Sequence, residues 1–517
     1  MADDGVDQKL KDSDNPSSLY YPAADHSTKP TGMEVDIDPK TMEYLWGREL
    51  MELSVDEREL NEEHLHGIKS LAVPETQELL NQGLNDMQKV INDLPIQEKR
   101  SHLRGLELGS MYIQSLAFRL KFLRCVQFDA KLAAIRYCKC LDLLEEEFGE
   151  CALMRRLLIT DLGKEELSYF QEGQYQVLPS RDCLGRRIAC FSFSSPSRTY
   201  STDSVFKVFI YILNAILSED ISTQKHGLVY ITLLNQNENY PAVDMHRVHK
   251  MYAGTPLFWG AVHLCVPNDD FYRIFTALFL AWLGQRGRKL LRIHRGNRIE
   301  CNYMLQGFGI PVADIPQMYS GQVKTKNHLR LIKLRTAMDE WQIEKEKRLK
   351  SRRRGEKSVR GAIEPFPGIE CPEVDFVVLS YSRNGEGALN NHPGNIAFRK
   401  IMVNNEGFKR FLKDFDNEEF DVQSKVREIV DDILVDACVD GLQFLSYDRE
   451  KGYYSEITDK DVLCQSVEMV MRRHRKEFWA HTRARNPGRN NVSSSLLPEP
   501  LDLSQKDRMD YCSKCLK

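Results

Sequence analysis

The chain has 517 residues, too many for one compact core, so at least two domains plus tails are expected. Apolar residues make up 42% and charged residues 28%, a globular balance, and a net charge of −4 gives no bulk attraction to nucleic acid or acidic membranes. No basic segment leads into an apolar run at the start, no stretch reaches ~20 uninterrupted apolar residues, and thirteen single cysteines fit a reducing compartment, so neither a secreted nor a membrane-spanning protein is expected. Residues 1–40 hold nine acidic and four basic residues among Ser and Pro and are expected to be disordered, as is the polar tail 481–517. The tail's Cys512 and Cys515 form a lone CxxC, with no second ligand pair in view, so no metal is expected.

In chain order, residues 41–102 read as a helical extension, beginning with a short helix at Pro39–Met51. Residues 103–165 read as a helical subdomain. Leu116, Leu120 and Leu123 follow helical spacing, Asp129 is placed to cap the next helix, and Ala133, Tyr137, Leu141 and Leu144 make its apolar stripe before Gly149 ends it. From residue 166 to 322 strands and helices alternate. Strands are expected at Arg187–Phe193, Leu228–Leu234, Ala261–Val266 and Leu290–Ile293, with helices at Val205–Leu217, Val243–Tyr252, Phe271–Leu283 and Ile299–Gln306. Alternation of this kind predicts an α/β fold whose mainly parallel sheet is flanked by helices. Residues 323–371 read as a charged helix and linker, with nine basic residues between Lys345 and Arg360. Residues 372–480 read as a small α+β domain. It has a strand at Asp375–Leu379, helices at Ile396–Val403 and Val422–Ala437, a hairpin at Leu442–Tyr447 and Tyr453–Ile457, and a last helix at Asp459–His474.

The sheet carries no phosphate-binding glycine turn. After the first strand comes Ser194-Ser195-Pro196-Ser197-Arg198, and no GxGxxG, GxxxxGK[ST], HExxH or GxSxG occurs. No catalytic constellation assembles from these spacings, so an enzyme is not expected and no cofactor is implied. The unusual element is the helix Phe271–Leu283. Phe271, Ile274, Phe275, Leu278, Phe279, Trp282 and Leu283 cover most of its circumference, whereas a helix on a sheet normally keeps a polar side. Such a helix is either wholly buried or turns one apolar face to a cavity or to lipid. His263 and His294, in strands, read as structural.

Two resemblances add to this reading. Leu120-Lys121-Phe122-Leu123-Arg124 before Phe128-Asp129-Ala130-Lys131 is similar to the opening hairpin of CRAL-TRIO proteins. Arg292-Ile293-His294-Arg295-Gly296-Asn297 and Ile315-Pro316-Gln317-Met318-Tyr319-Ser320-Gly321 resemble that fold's end, in the form nearest to the alpha-tocopherol transfer protein. The resemblance spans Leu103–Gly321. It implies a hydrophobic pocket under a mobile gate helix, holding a lipid or other hydrophobic small molecule, with transient contact of the gate with a membrane surface. Residues implied to line the pocket are Phe209, Leu213, Tyr230, Phe271, Ile274, Phe275, Leu278, Phe279 and Trp282, with Arg292 near a head group. Leu257 and Phe258 stand where phosphatidylinositol-transfer members have Glu-Arg, so phosphoinositide specificity is not implied.

The second resemblance is to an uncharacterised diatom-type domain, over Asp375–Phe478. It is carried by Asn391, His392, Pro393, Gly394, Asn395, Phe398 and Arg399, the "NNHPGN-x-x-FR" signature. That family has no known function. Physically, Pro393-Gly394 makes a turn and Asn395 can cap the following helix. Three helices and a hairpin would also suit a winged-helix DNA reader, but Glu428, Asp431, Asp432 and Asp436 on the candidate recognition helix would repel phosphates. No nucleic-acid partner is favoured, and a protein partner is expected for this domain. The expected function is cytoplasmic or membrane-peripheral lipid binding or transfer. The rivals are a regulatory adaptor with a filled pocket, signalled by bulky Trp259, Tyr303 and Phe308, and a nuclear DNA-associated regulator.

Overall fold

The computed structural model describes residues 38–192, 199–234, 245–317, 322–353, 369, 371, 373, 375–379, 392–413, 423–448 and 453–485. The disorder expected of residues 1–40 and 481–517 falls outside them except at 38–40 and 481–485, where a helix begins and another ends instead; the serine loop 194–198 and the CxxC at Cys512 and Cys515 also lie outside them. The described chain is mixed α/β and mainly helical. Its strands are β1 (Tyr175–Arg181), β2 (Arg187–Ser192), β3 (Leu228–Leu233), β4 (Trp259–Val266), β5 (Leu291–Arg295), β6 (Phe376–Val378), β7 (Gln443–Asp448) and β8 (Tyr453–Glu456). Residues gather into two compact units, and neither is a continuous stretch of chain. One comprises Met1–Leu65, Lys69–Leu157 and Ile212–Asn297; the other comprises His66–Ile68, Leu158–Tyr211 and Arg298–Lys517.

In the first unit β3, β4 and β5 run parallel, with Ile231 opposite His263 and His263 opposite Arg292. Every residue of β3, and all of β4 after Trp259, is buried. Strands apolar on both faces need cover on both sides, and the flanking helices supply it. Gly227 holds a positive φ of +90°, and a Cβ there would come within 2.5 Å of the Gly260 nitrogen. Only glycine lets the chain enter β3 so close to β4. The helical subdomain follows its expected pattern. Asp129 accepts from the Leu132 N–H at 2.9 Å, and Ala133, Tyr137, Leu141 and Leu144 are buried. Tyr137 also bonds His102 at 3.0 Å.

In the second unit β1 pairs antiparallel with β2. The sequence pattern does not show β1, because Gln176, Pro179, Ser180 and Arg181 break its alternation and the register shifts between Val177 and Arg181. Further along, β6 pairs parallel and β8 antiparallel with β7, beside a core of Phe398, Met402, Phe408, Phe411, Val430, Ile433 and Val467. The helix Glu406–Lys413 was not apparent in the sequence. The charged helix runs over Lys326–Arg353; the rest of the basic segment, 354–360, lies outside the described residues.

Burial holds His294 and His328 at about 4, far below the ordinary 6.5, with Arg292 adding to the effect on His294. His102 is likewise held at about 4, by burial with Arg119 and Lys99 nearby. The unfolded chain therefore takes up protons below pH 6.5 that the folded chain refuses until pH 4. Stability from these three is complete above about pH 6.5 and is lost as pH falls toward 4. Urea unfolding should show a midpoint that falls steadily across that window, and His328→Gln should flatten the slope.

Candidate functional site

The apolar helix spans Asp270–Lys289, longer than its stripe suggested because it continues through Gly284 and Gly287. Tyr272, Thr276 and Leu280, one stripe at four-residue spacing, are buried, and the Thr276 hydroxyl satisfies itself on the Tyr272 carbonyl at 2.7 Å. Away from that stripe Ile274 is 54% exposed, and the stacked rings of Phe275 and Phe279, 6.4 Å apart, are half-buried. The side chains of Phe271, Leu278 and Trp282 lie outside the described part of the structure. The helix thus has one face committed to its unit and an apolar face reaching water.

Polar contacts fasten its far end. The N-terminal helix Pro39–Met51 starts at Asp38, which accepts from Thr41, and packs along the apolar helix. Its Trp46 donates to the Arg288 carbonyl at 2.8 Å, and Glu49 takes Arg288 in a two-pronged pair at 2.5 and 2.7 Å. Both members of the pair are nearly buried. On β5, which follows the helix, Glu43 holds Arg295 at 2.9 Å, and Glu62, on the helix Val55–Leu65, holds Arg292. Glu49 is a carboxylate on a short amphipathic helix, and nothing in the sequence marks it as the partner of an arginine 239 residues away.

Of the remaining expected pocket residues, Phe209, Leu213 and Tyr230 are all buried, Phe209 against Tyr175, which stacks on Phe191 at 4.0 Å. Strand alternation puts Tyr230 and Arg292 on opposite faces, since Tyr230 pairs with Val262 and Leu291 while Arg292 aligns with His263 and Ile231. Strand register thus sets Arg292, which pairs with Glu62, on the face away from Tyr230. His263 and His294 are buried with ring nitrogens 3.0 Å apart. Of the three bulky residues, Trp259 packs between Tyr230 and Tyr252, each at 5.4 Å. Phe308 stacks on His66, and Tyr303 is 72% exposed.

The C-terminal signature has a structural explanation. His392 is buried and occupies the cap position of the helix Pro393–Asn404, Pro393 opens it, and Gly394 is buried in its first turn. Asn395 is not the cap. It lies inside the helix, and its amide accepts from the Val378 N–H at 2.7 Å and donates to the Val378 carbonyl at 3.2 Å. The side chain thereby substitutes for a neighbouring strand along β6. Phe398 enters the core edge-on to Phe444 at 5.4 Å, Arg399 is half-buried, and Asn391 lies outside the described residues. On the helix Gln423–Val439 the outer face carries Glu428, Asp432, Val435, Asp436 and Val439, all exposed.

Neither a protein-family model nor a curated protein matches this chain. Among the described residues no helix is long and apolar enough to cross a membrane, and no group of three or more His, Cys, Asp or Glu could hold a metal ion.

Two substitutions test these contacts by hydrogen–deuterium exchange. Glu49→Gln should loosen Pro39–Met51 and the end of Asp270–Lys289 by about 1–3 kcal/mol, leaving β6 to β8 unchanged. Asn395→Ala strands both polar groups of Val378 and should do the reverse, raising exchange at β6 by a similar amount.

Proposed function

We propose that this chain is a non-enzymatic binder of a lipid or other hydrophobic small molecule, in the manner of CRAL-TRIO proteins, with the apolar helix Asp270–Lys289 as the moving part. The observation that carries the reading is the exposed Ile274 beside the half-buried Phe275 and Phe279, on a helix whose opposite stripe is buried. Burying such side chains against an acyl or isoprenoid chain gains about 25 cal/mol per Å². Besides its buried stripe, the helix is held at its far end by one ion pair, Glu49 with Arg288, and an ion pair is easier to release than apolar packing. Its charges can regain water on separation, so the pair contributes little net stability over the open state.

The C-terminal domain is proposed as a protein-interaction module. Its signature residues build the domain and are not arranged for chemistry, and the carboxylates on the outer face of Gln423–Val439 oppose nucleic acid. The adaptor reading keeps one supporting observation, the packing of Trp259 between two tyrosines.

Organic extraction of the purified full chain, followed by mass spectrometry, should yield one enriched hydrophobic molecule at near one-to-one ratio. Ile274→Glu should lower transfer of that molecule to vesicles by roughly tenfold or more while leaving the circular dichroism unchanged. An empty chain that also takes up no lipid from vesicles would leave the adaptor reading in place.

A further inference from the structure

On the strand pair β1–β2, Gln176 stands opposite Cys190. In the same unit, four residues keep buried polar atoms that find no hydrogen-bond partner. Ser192 is two positions along β2 on the face of Cys190 and is fully buried; its Oγ is unpaired. The helix Arg298–Gly307 turns residues 298, 301, 302 and 305 to one side, and Cys301 and Leu305 on that side are buried. Arg298 is near enough to Cys190 for its charge to act on the thiol. Its Nε and Nη2, and Asn302 Oδ1 one turn further on, are buried and unpaired. Gln317 bridges Val323, and the carbonyl of the following Lys324 accepts from Gln176 Nε2 at 3.0 Å. Gln317 is only 5% exposed, and neither amide atom is bonded.

A buried polar atom left unpaired costs about 1–3 kcal/mol, and native proteins keep few of them. Here four residues of one unit hold six of them. Their chemistry is mixed in a definite way. The two guanidinium N–H groups, the serine hydroxyl and the glutamine NH₂ are donors suited to an oxyanion. Asn302 Oδ1 and Gln317 Oε1 are acceptors, which an oxyanion alone leaves unsatisfied and a hydroxyl would fill.

We propose that Ser192, Arg298, Asn302 and Gln317 form a binding site for a phosphate group with a neighbouring hydroxyl, as in a phosphorylated polyol, free or borne by a lipid. Arg298 and Ser192 hold the phosphate oxygens, Gln317 bridges phosphate and hydroxyl, and Asn302 accepts from the hydroxyl. The site does not rest on the lipid-binding reading, since a free phosphorylated polyol would satisfy it equally.

Titration calorimetry of the full chain with sn-glycerol 3-phosphate, inorganic phosphate and glycerol tests it, alongside flotation with phosphatidylcholine vesicles containing lysophosphatidic acid. Glycerol 3-phosphate should bind one-to-one, more tightly than inorganic phosphate, with glycerol not binding. Binding to the vesicles without binding of the soluble probe assigns the same site to a lipid head group. Gln317→Glu supplies an internal partner for Arg298, so it should keep or raise the melting temperature while weakening binding about 10- to 100-fold. Arg298→Met should weaken it as much. The proposal is overturned if neither probe binds, if glycerol binds as well as its phosphate, or if Gln317→Glu leaves affinity unchanged. Tight glycerol 3-phosphate binding by a chain that extracts no lipid would keep this site and remove the lipid reading.

Discussion

Strands β3 and β4 have no face to give to water. A parallel pair buried on both sides satisfies its backbone only through its neighbours and must be roofed and floored by helices. That single requirement explains Gly227, which lets the chain enter β3 against β4, and the burial of His263 within β4. It also explains why a helix as apolar as Asp270–Lys289 is present. Its Tyr272, Thr276 and Leu280 stripe meets the need for cover, and the apolar residues beyond that stripe are surplus to it. Surplus apolar surface on an otherwise well-covered unit is where a functional reading begins.

The surplus is managed by polar contacts. Glu43, Glu49 and Glu62 reach Arg295, Arg288 and Arg292 from two N-terminal helices. Charges paired in this way specify where a helix rests more than how firmly, because each partner is well hydrated when apart.

Elsewhere, a side chain does the work of backbone. Asn395 closes the hydrogen bonds of Val378 from within a helix, so the small strand β6 has β7 on one side and an amide on the other. This gives one residue of a conspicuous sequence signature a structural role. Ser192, Arg298, Asn302 and Gln317 carry no conspicuous signature, yet their buried polar atoms are left with bonding capacity to offer. Conspicuousness in sequence and availability in structure are different properties.

Local rules sufficed for much of the architecture. The cap at Asp129, the stripe Ala133–Leu144 and the continuous apolar runs of β3 and β4 act over a few residues, so the sequence by itself determined those elements and their parallel order. It did not show β1, where polar residues and a register shift hide the alternation. Nor did it show that Tyr230 and Arg292 face opposite ways, because facing depends on register across three strands. The partnership of Glu49 with Arg288 and the unpaired burial of Ser192, Arg298 and Gln317 were decided by tertiary structure alone. Taken singly these side chains are ordinary polar groups, and only folding sets which of them meet and which are left unpaired.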